Sequence, residues 1–240
     1  MQRGPTTSTA DGVSNVTAGQ ILTRLKKLAD PKNVEGMARY GINAENTLGV
    51  PVPTLRAIAK EAGTDHKLAA ELWKSGVHEA RIIAPLVEDP ARVTEKQMER
   101  WVRDFNSWDI CDLCCNNLFR KTDLAHAKAS EWSKRDEEFV KRAGFVMMAV
   151  LAVHDKGVPD SRFTRCLPAI RRAATDERNY VKKAVNWALR QIGKRNQALN
   201  RKAIDTAEKI SSMDSKAARW IASDALRELK GEKVQEQLRR

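Results

Sequence analysis

From Ala18 onward the apolar positions of this chain recur at intervals of three and four residues, beginning with Ile21, Leu22, Leu25 and Leu28. That spacing draws one apolar stripe along an amphipathic helix. Asp30-Pro31 closes this first helix, because the residue before a proline is pushed out of the helical region. A second helix runs through Val34, Met37 and Tyr40; Leu48 to Thr54 reads as a loop, and Pro53 opens a helix from Thr54 to Glu61. Beyond Asp65 the pattern resolves into helix pairs: 67–75 with 78–88, 94–106 with 108–120, 122–134 with 136–154, 160–173 with 177–193, and 196–211 with 214–230. Short punctuation separates them at Asp89-Pro90, Gly157-Val158-Pro159 and Gly193. No segment alternates apolar and polar positions over several β-branched residues, so strands are not expected.

The chain is therefore all-α. Helix pairs recurring at about 30 to 40 residues point to stacked HEAT or armadillo repeats, with an irregular helical bundle as the alternative. Residues 1–17 are rich in Ser, Thr, Gly and Asn and read as a disordered arm, which leaves 18–240 as a single domain.

Composition narrows the function. In 240 residues, 43 Lys and Arg face 31 Asp and Glu, for a formal net charge of +12. Such an excess speaks about partners and not about fold, and clustered cations meet nucleic-acid phosphates favourably by releasing counterions. The alternative is solubility alone. No apolar run reaches the roughly 18 residues of a membrane span, and the polar N-terminus lacks a secretory core, so a cytoplasmic protein is expected. Four cysteines are too few for a disulfide scaffold.

Two helices carry more than packing. In the segment 178–194, Val181, Ala184, Val185, Ala188 and Ile192 form the buried stripe, while Tyr180, Lys183, Trp187, Arg190 and Lys194 gather on a second face. Cations interleaved with aromatics hold phosphates and stack on sugars or bases; alternatively, Trp187 packs on a neighbour and the cations are solvated. The second helix begins at Ser107-Trp108-Asp109, with Ser107 as its N-cap and Asp109 complementing the helix dipole. Trp108 and Asp112 lie one turn apart and project from the same side. A carboxylate beside an indole repels phosphate but favours a developing cation. Cys111, Cys114 and Cys115 share a face with Leu118 and read as buried packing, and His66, His78, His126 and His154 lack ligand spacing, so no metal is expected. Arg142 opens a helix that is otherwise apolar from Ala143 to Val153; it either pairs with a carboxylate or holds an anion.

Together, Met37-Ala-Arg-Tyr40, the Trp108-Asp-x-x-Asp112 helix, Lys141-Arg-Ala143 and Ala184-Val-Asn-Trp187-Ala-Leu-Arg190 resemble the AlkD-like DNA alkylation repair proteins, over about Ile21 to Leu229. The resemblance implies a right-handed superhelix of HEAT-like repeats with a concave basic groove for double-stranded DNA. It also implies a DNA glycosylase for purines alkylated at N3 or N7, acting as a monomer without cofactor or metal and without flipping the base. Trp108, Asp112 and Trp187 would be its catalytic residues. Tyr40, Arg142, Tyr180, Lys183, Arg190 and Lys194 would contact DNA. Because the alkylated base is already cationic, it leaves without protonation, and Asp112 would stabilise the oxocarbenium-like sugar, the problem that glycosidases solve. Lys183 would form no Schiff base. One departure is Ser107, where family members often carry a second aromatic. Some relatives with this fold lack the catalytic set and are not glycosylases, whereas this sequence keeps it. A non-catalytic nucleic-acid binder and a protein-interaction scaffold are the competing readings.

Overall fold

Thr17 and Gln20 start the first helix with a reciprocal cap: the Thr17 hydroxyl accepts from the Gln20 amide, and the Gln20 side chain accepts from the Thr17 amide. The computed structural model describes residues 16–239. The expected arm therefore lies outside the described residues up to residue 15, while Thr17 belongs to the fold. α1 (Ala18–Lys27) ends before Asp30, which does not close it but caps α2 (Pro31–Arg39) by accepting from the Lys32 and Asn33 amides. α3 (Val52–Ala62) carries Pro53 in its first turn, where the missing N–H costs nothing.

The pairs follow as α4 (His66–Lys74) with α5 (His78–Val87), α6 (Glu95–Arg103) with α7 (Trp108–Asn117), and α8 (Ala125–Trp132) with α9 (Glu138–His154). α10 (Asp160–Thr164) and α11 (Leu167–Ala173) stand where the apolar spacing predicts one helix over 160–173. Pro168 explains the break, since it lacks an N–H and its ring collides with the carbonyl four residues back, at Thr164. α12 (Asn179–Gly193), α13 (Gln197–Ser211) and α14 (Lys216–Leu229) match expectation to within two residues at each end. α15 (Glu232–Arg239) was not expected, because it buries only Val234. Among the described residues no helix is long and apolar enough to cross a membrane.

Each pair contributes one helix to each of two rows. α5, α7, α9, α12 and α14 touch in succession as one row, and α4, α8 and α13 back them as part of the other. α9 is the central element: every residue from Ala143 to Ala152 is buried, and α7, α8 and α12 all pack on it. At the N-terminal side the core is aromatic. Trp73 and Trp101 stack face to face at 4.1 Å, and Phe119 links Trp101 to Trp132.

Packing between α8 and α9 is closest at Gly144, where a Cβ would fall 2.7 Å from Ser133 Cα. Only backbone lines that approach, so nothing there can rotate away. Gly144→Ala is expected to cost about 1–3 kcal/mol by overpacking. A thermal midpoint equal to wild type would show that the two helices are not held this tightly.

Candidate active site

The first turn of α7 sorts its two acids to opposite duties. Ser107 does occupy the N-cap position, yet its hydroxyl makes no capping bond; it donates instead to Asp109 Oδ1 at 2.6 Å. Asp109 Oδ2 lies 2.8 Å from His78 Nε2, so this buried carboxylate ties α7 to α5. Burial alone would push the Asp109 carboxyl up, but His78 and the Ser107 hydroxyl outweigh it and hold the carboxyl below its ordinary value. Asp109 therefore faces inward, and Asp112 is left for the cleft.

Asp112 is met by Arg142 from α9. Nε donates to Oδ1 at 2.9 Å and Nη2 donates to Oδ2 at 2.8 Å, while Nη1 donates to the Tyr180 carbonyl of α12 at 2.7 Å. Of the two options the sequence left open for Arg142, pairing with a carboxylate is the one realised. Its guanidinium is buried and committed on all sides, so it is a poor DNA contact and a firm support. Burial pushes the Asp112 carboxyl up from its usual value, and Arg142 pulls against that shift. The two-pronged geometry, with both oxygens accepting, requires the anion. Asp112 keeps about one fifth of its side chain exposed, toward the cleft.

Two further bonds close a ring. Trp108 Nε1 donates to the Tyr40 carbonyl at 3.1 Å, and the Tyr180 hydroxyl donates to the Gly41 carbonyl at 2.7 Å. The Tyr40–Gly41 peptide after α2 is thus clamped between α7 and α12. Gly41 has φ of 74°, and a Cβ there would overlap the Tyr180 hydroxyl, so only glycine fits. The Tyr40 ring itself is 81% exposed and stands over the opening.

The cleft so framed measures about 580 Å³ and is lined by Arg39, Tyr40, Trp108, Asp112, Asn179 and Lys183, with Arg142 and Tyr180 at its floor. It opens at the N-terminal ends of α7 and α12, whose first residues are Trp108 and Asn179. Unpaired amides and the dipole make such ends favourable for anions. Lys183 is exposed on this wall. Arg39 and Asn179 were not singled out from the sequence; Arg39 had a signal, as the cation beside Tyr40.

The rest of the α12 stripe departs from the cleft. Trp187, one turn beyond Lys183, is half-buried against the core and does not line it. Arg190 and Lys194 are both held by Glu228 of α14, and Arg190 Nε also lies 3.6 Å from Asp224. Both cations are therefore tied to acids of α14, a pairing that the sequence did not indicate. Cys111, Cys114 and Cys115 are buried, and burial raises each thiol above its ordinary value, so they pack as expected. His66, His78 and His126 each sit against one carboxylate.

A sequence profile described as DNA alkylation repair enzyme matches residues 21–229. The chain belongs to the DNA alkylation repair enzyme family. Two Listeria proteins resemble it at length: the uncharacterized protein Lin0241 of Listeria innocua serovar 6a is 22% identical over 202 residues, 82% of this chain and 88% of its own. The uncharacterized protein Lmo0209 of Listeria monocytogenes serovar 1/2a is 21% identical over the same shares. A solved structure, described as a new family of proteins related to the HEAT-like repeat DNA glycosylases with affinity for branched DNA structures, superposes with a TM-score of 0.76. It is 19% identical and aligns over 93% of this chain and 96% of its own, so this family member has the HEAT-like repeat superhelix.

The Arg142–Asp112 pair in this DNA alkylation repair family member generates a stability prediction. Arg142→Met removes one partner and strands a buried carboxylate, which should cost about 3–5 kcal/mol. Without its guanidinium the Asp112 pKa rises further above the unfolded value, so protons bind the folded state more tightly. The loss should then be smallest below the ordinary carboxylate pKa and grow as pH rises through it. Adding Asp112→Asn should recover part of the loss at neutral pH. Urea denaturation of the single and double variants at acid and neutral pH measures this; a loss independent of pH and unrelieved by the second change would contradict the pairing.

Proposed function

We propose that the protein is a DNA glycosylase that releases cationic N3- or N7-alkylated purines from duplex DNA. The observation that carries the reading is Asp112: a carboxylate fixed by Arg142, beside the Trp108 indole, in a cleft otherwise edged by Arg39, Lys183 and helix N-termini. A surface evolved only to grip phosphates gains nothing from a carboxylate at its centre. A surface that must stabilise positive charge on a sugar does.

In this reading Lys183 and Arg39 hold phosphates flanking the lesion, and the Trp108 face packs on the deoxyribose. As the glycosidic bond breaks, its electron pair leaves with the cationic base, which departs neutral. Positive charge develops on the sugar, and the Asp112 carboxylate stabilises it and orients the water that completes hydrolysis. Arg142 neither touches the substrate nor moves; it keeps Asp112 ionised and aimed. Trp187, one turn beyond Lys183 and outside the cleft, would meet the neighbouring nucleotide, and Arg190 and Lys194, held by Glu228, are withdrawn from phosphate binding.

A second reading, a DNA-structure binder without base release, is favoured by the affinity for branched DNA described for the structural relative. One experiment separates the two. Single-turnover release of 7-methylguanine from methylated duplex should fall by about 10²–10³ for Asp112→Asn, the usual loss for one preorganised group. Duplex affinity should stay equal or tighten, because Arg142 is then left with excess positive charge. Release by the variant at the wild-type rate would reduce Asp112 to a packing residue, and no release by wild type would favour the second reading.

Salt tests the phosphate contacts separately. Duplex affinity should fall steeply with salt, and Lys183→Ala should lower the log–log slope by about one. The same slope for both proteins would take Lys183 out of the interface.

A further inference from the structure

A second basic cleft, of about 500 Å³, lies between α8 and the α10–α11 pair. Lys134, Arg162, Arg165 and Arg172 edge it, all exposed, and among the described residues no carboxylate lines it or pairs with them, unlike Arg190 and Lys194. The floor comes from Met148 and Leu151 of α9. At 100° per residue, Leu151 projects about 180° from Arg142 around that helix, so the cleft opens on the side of α9 away from Asp112.

The strip continues beyond the cleft. On the other flank of α11, Arg171, Lys202 and a paired Lys209–Asp205 line a smaller hollow, with Lys202 Nζ 3.3 Å from Thr164 Oγ1. Arg162 of α10, Arg165 in the turn after it and Arg172 of α11 face the cleft, while Arg171 faces the neighbouring hollow.

The geometry points to a second phosphate-binding face, which takes the backbone of a second DNA duplex while the Asp112 face holds the first. Three of the four edging cations are Arg, whose planar fork matches phosphate oxygens in pairs. An acidic peptide helix would also meet the charge but would need apolar anchor pockets. Met148, Leu151 and Phe163 are 2%, 3% and 1% exposed, so the floor offers almost none. The cations come from separate elements, Lys134 after α8, Arg162 and Arg165 on and after α10, and Arg172 on α11, which suits successive phosphates of a backbone better than one small anion. The assignment stands independently of base release at Asp112.

The test is stoichiometry. Full-length protein is titrated with unmodified duplexes of about 10 base pairs, one helical turn, and complexes are sized by native mass spectrometry and sedimentation. Wild type should pass from one bound duplex to two. Arg162→Ala/Arg165→Ala/Arg172→Ala, whose exposed positions carry no packing, should stop at one, with second-duplex binding weakened about tenfold or more. An equal loss of charge elsewhere, Arg56→Ala/Lys60→Ala/Lys74→Ala, should still take two. Wild type stopping at one duplex, or both triple variants behaving alike, would overturn the proposal. So would a labelled polyglutamate peptide that binds wild type but not the first triple variant, while DNA stoichiometry is unchanged. Release of 7-methylguanine from linear duplex, run on the same proteins, should be equal in wild type and the first variant. Absence of release from wild type would reject the glycosylase reading and leave the stoichiometry to judge this one.

Discussion

A guanidinium buried at the junction of three helices is a large electrostatic liability, and the site is organised around discharging it. Desolvating one such ion costs several kcal/mol even after relaxation. Arg142 of α9 offsets that cost only when α7 brings both Asp112 oxygens and α12 brings the Tyr180 carbonyl. The requirement fixes the separation and rotation of those helices more strictly than apolar packing does, since methyl groups tolerate sliding and a two-pronged ion pair does not. The constraint then propagates. Tyr180 reaches back to the Gly41 carbonyl, and Trp108, one turn before Asp112, holds the adjacent Tyr40 carbonyl. The circuit runs from α7 through α9 and α12 to the turn after α2 and returns to α7. Any movement of Asp112 strains a bond elsewhere in it, which is the preorganisation that the proposed stabilisation of a cation needs.

The charge of the molecule is arranged by the same logic of pairing. A net +12 invites the idea of a uniformly basic groove. Instead, the wall near the cleft is a mosaic: Lys141 pairs with Asp176, Arg142 with Asp112, and Arg190 and Lys194 with Glu228. These acids hold the long cationic side chains in place and mute them. Among the described residues, excess charge is left on cations that no acid pairs, at Lys183 in the cleft and at the α10–α11 arginines on the other side of α9. Net charge measures how much cation a chain carries; the placement of its acids decides which cations a phosphate can reach.

Much of the architecture was legible because it is local. A 3.6-residue period marks every helix of α4–α9 and α12–α14, and caps and prolines set their ends to within a few residues. The exceptions are local features of another kind. Pro168 broke a helix whose apolar spacing continued across it, and α15 has too little apolar surface to announce itself. At the site, the shared side of Trp108 and Asp112 followed from one turn of helix, and the burial of the three cysteines followed from theirs. What stayed hidden were the partners. Nothing near Arg142 in the sequence names Asp112, and nothing near Arg190 names Glu228, so pairing stays one of two options at Arg142, and Arg190 reads as part of a DNA-facing stripe.

Those partners nonetheless obey a rule. Asp112 precedes Arg142 by 30 residues, and Arg190 precedes Glu228 by 38. His78 precedes Asp109 by 31, and Asn186 precedes Asp224 by 38. Each separation is about one helix pair, because helices stacked side by side in one row place equivalent positions in contact one repeat apart. In a repeat superhelix the sequence neighbour that matters electrostatically is therefore one repeat away, much as it is four residues away within a helix. The irregular period, stretched from about 30 residues around α7–α9 to 38 at α12–α14, is what conceals the correspondence from a search for identical motifs. Complementary polar residues at that drifting spacing are the trace it leaves, and they connect the fold to the site: the same register that stacks α7 on α9 delivers Arg142 to Asp112.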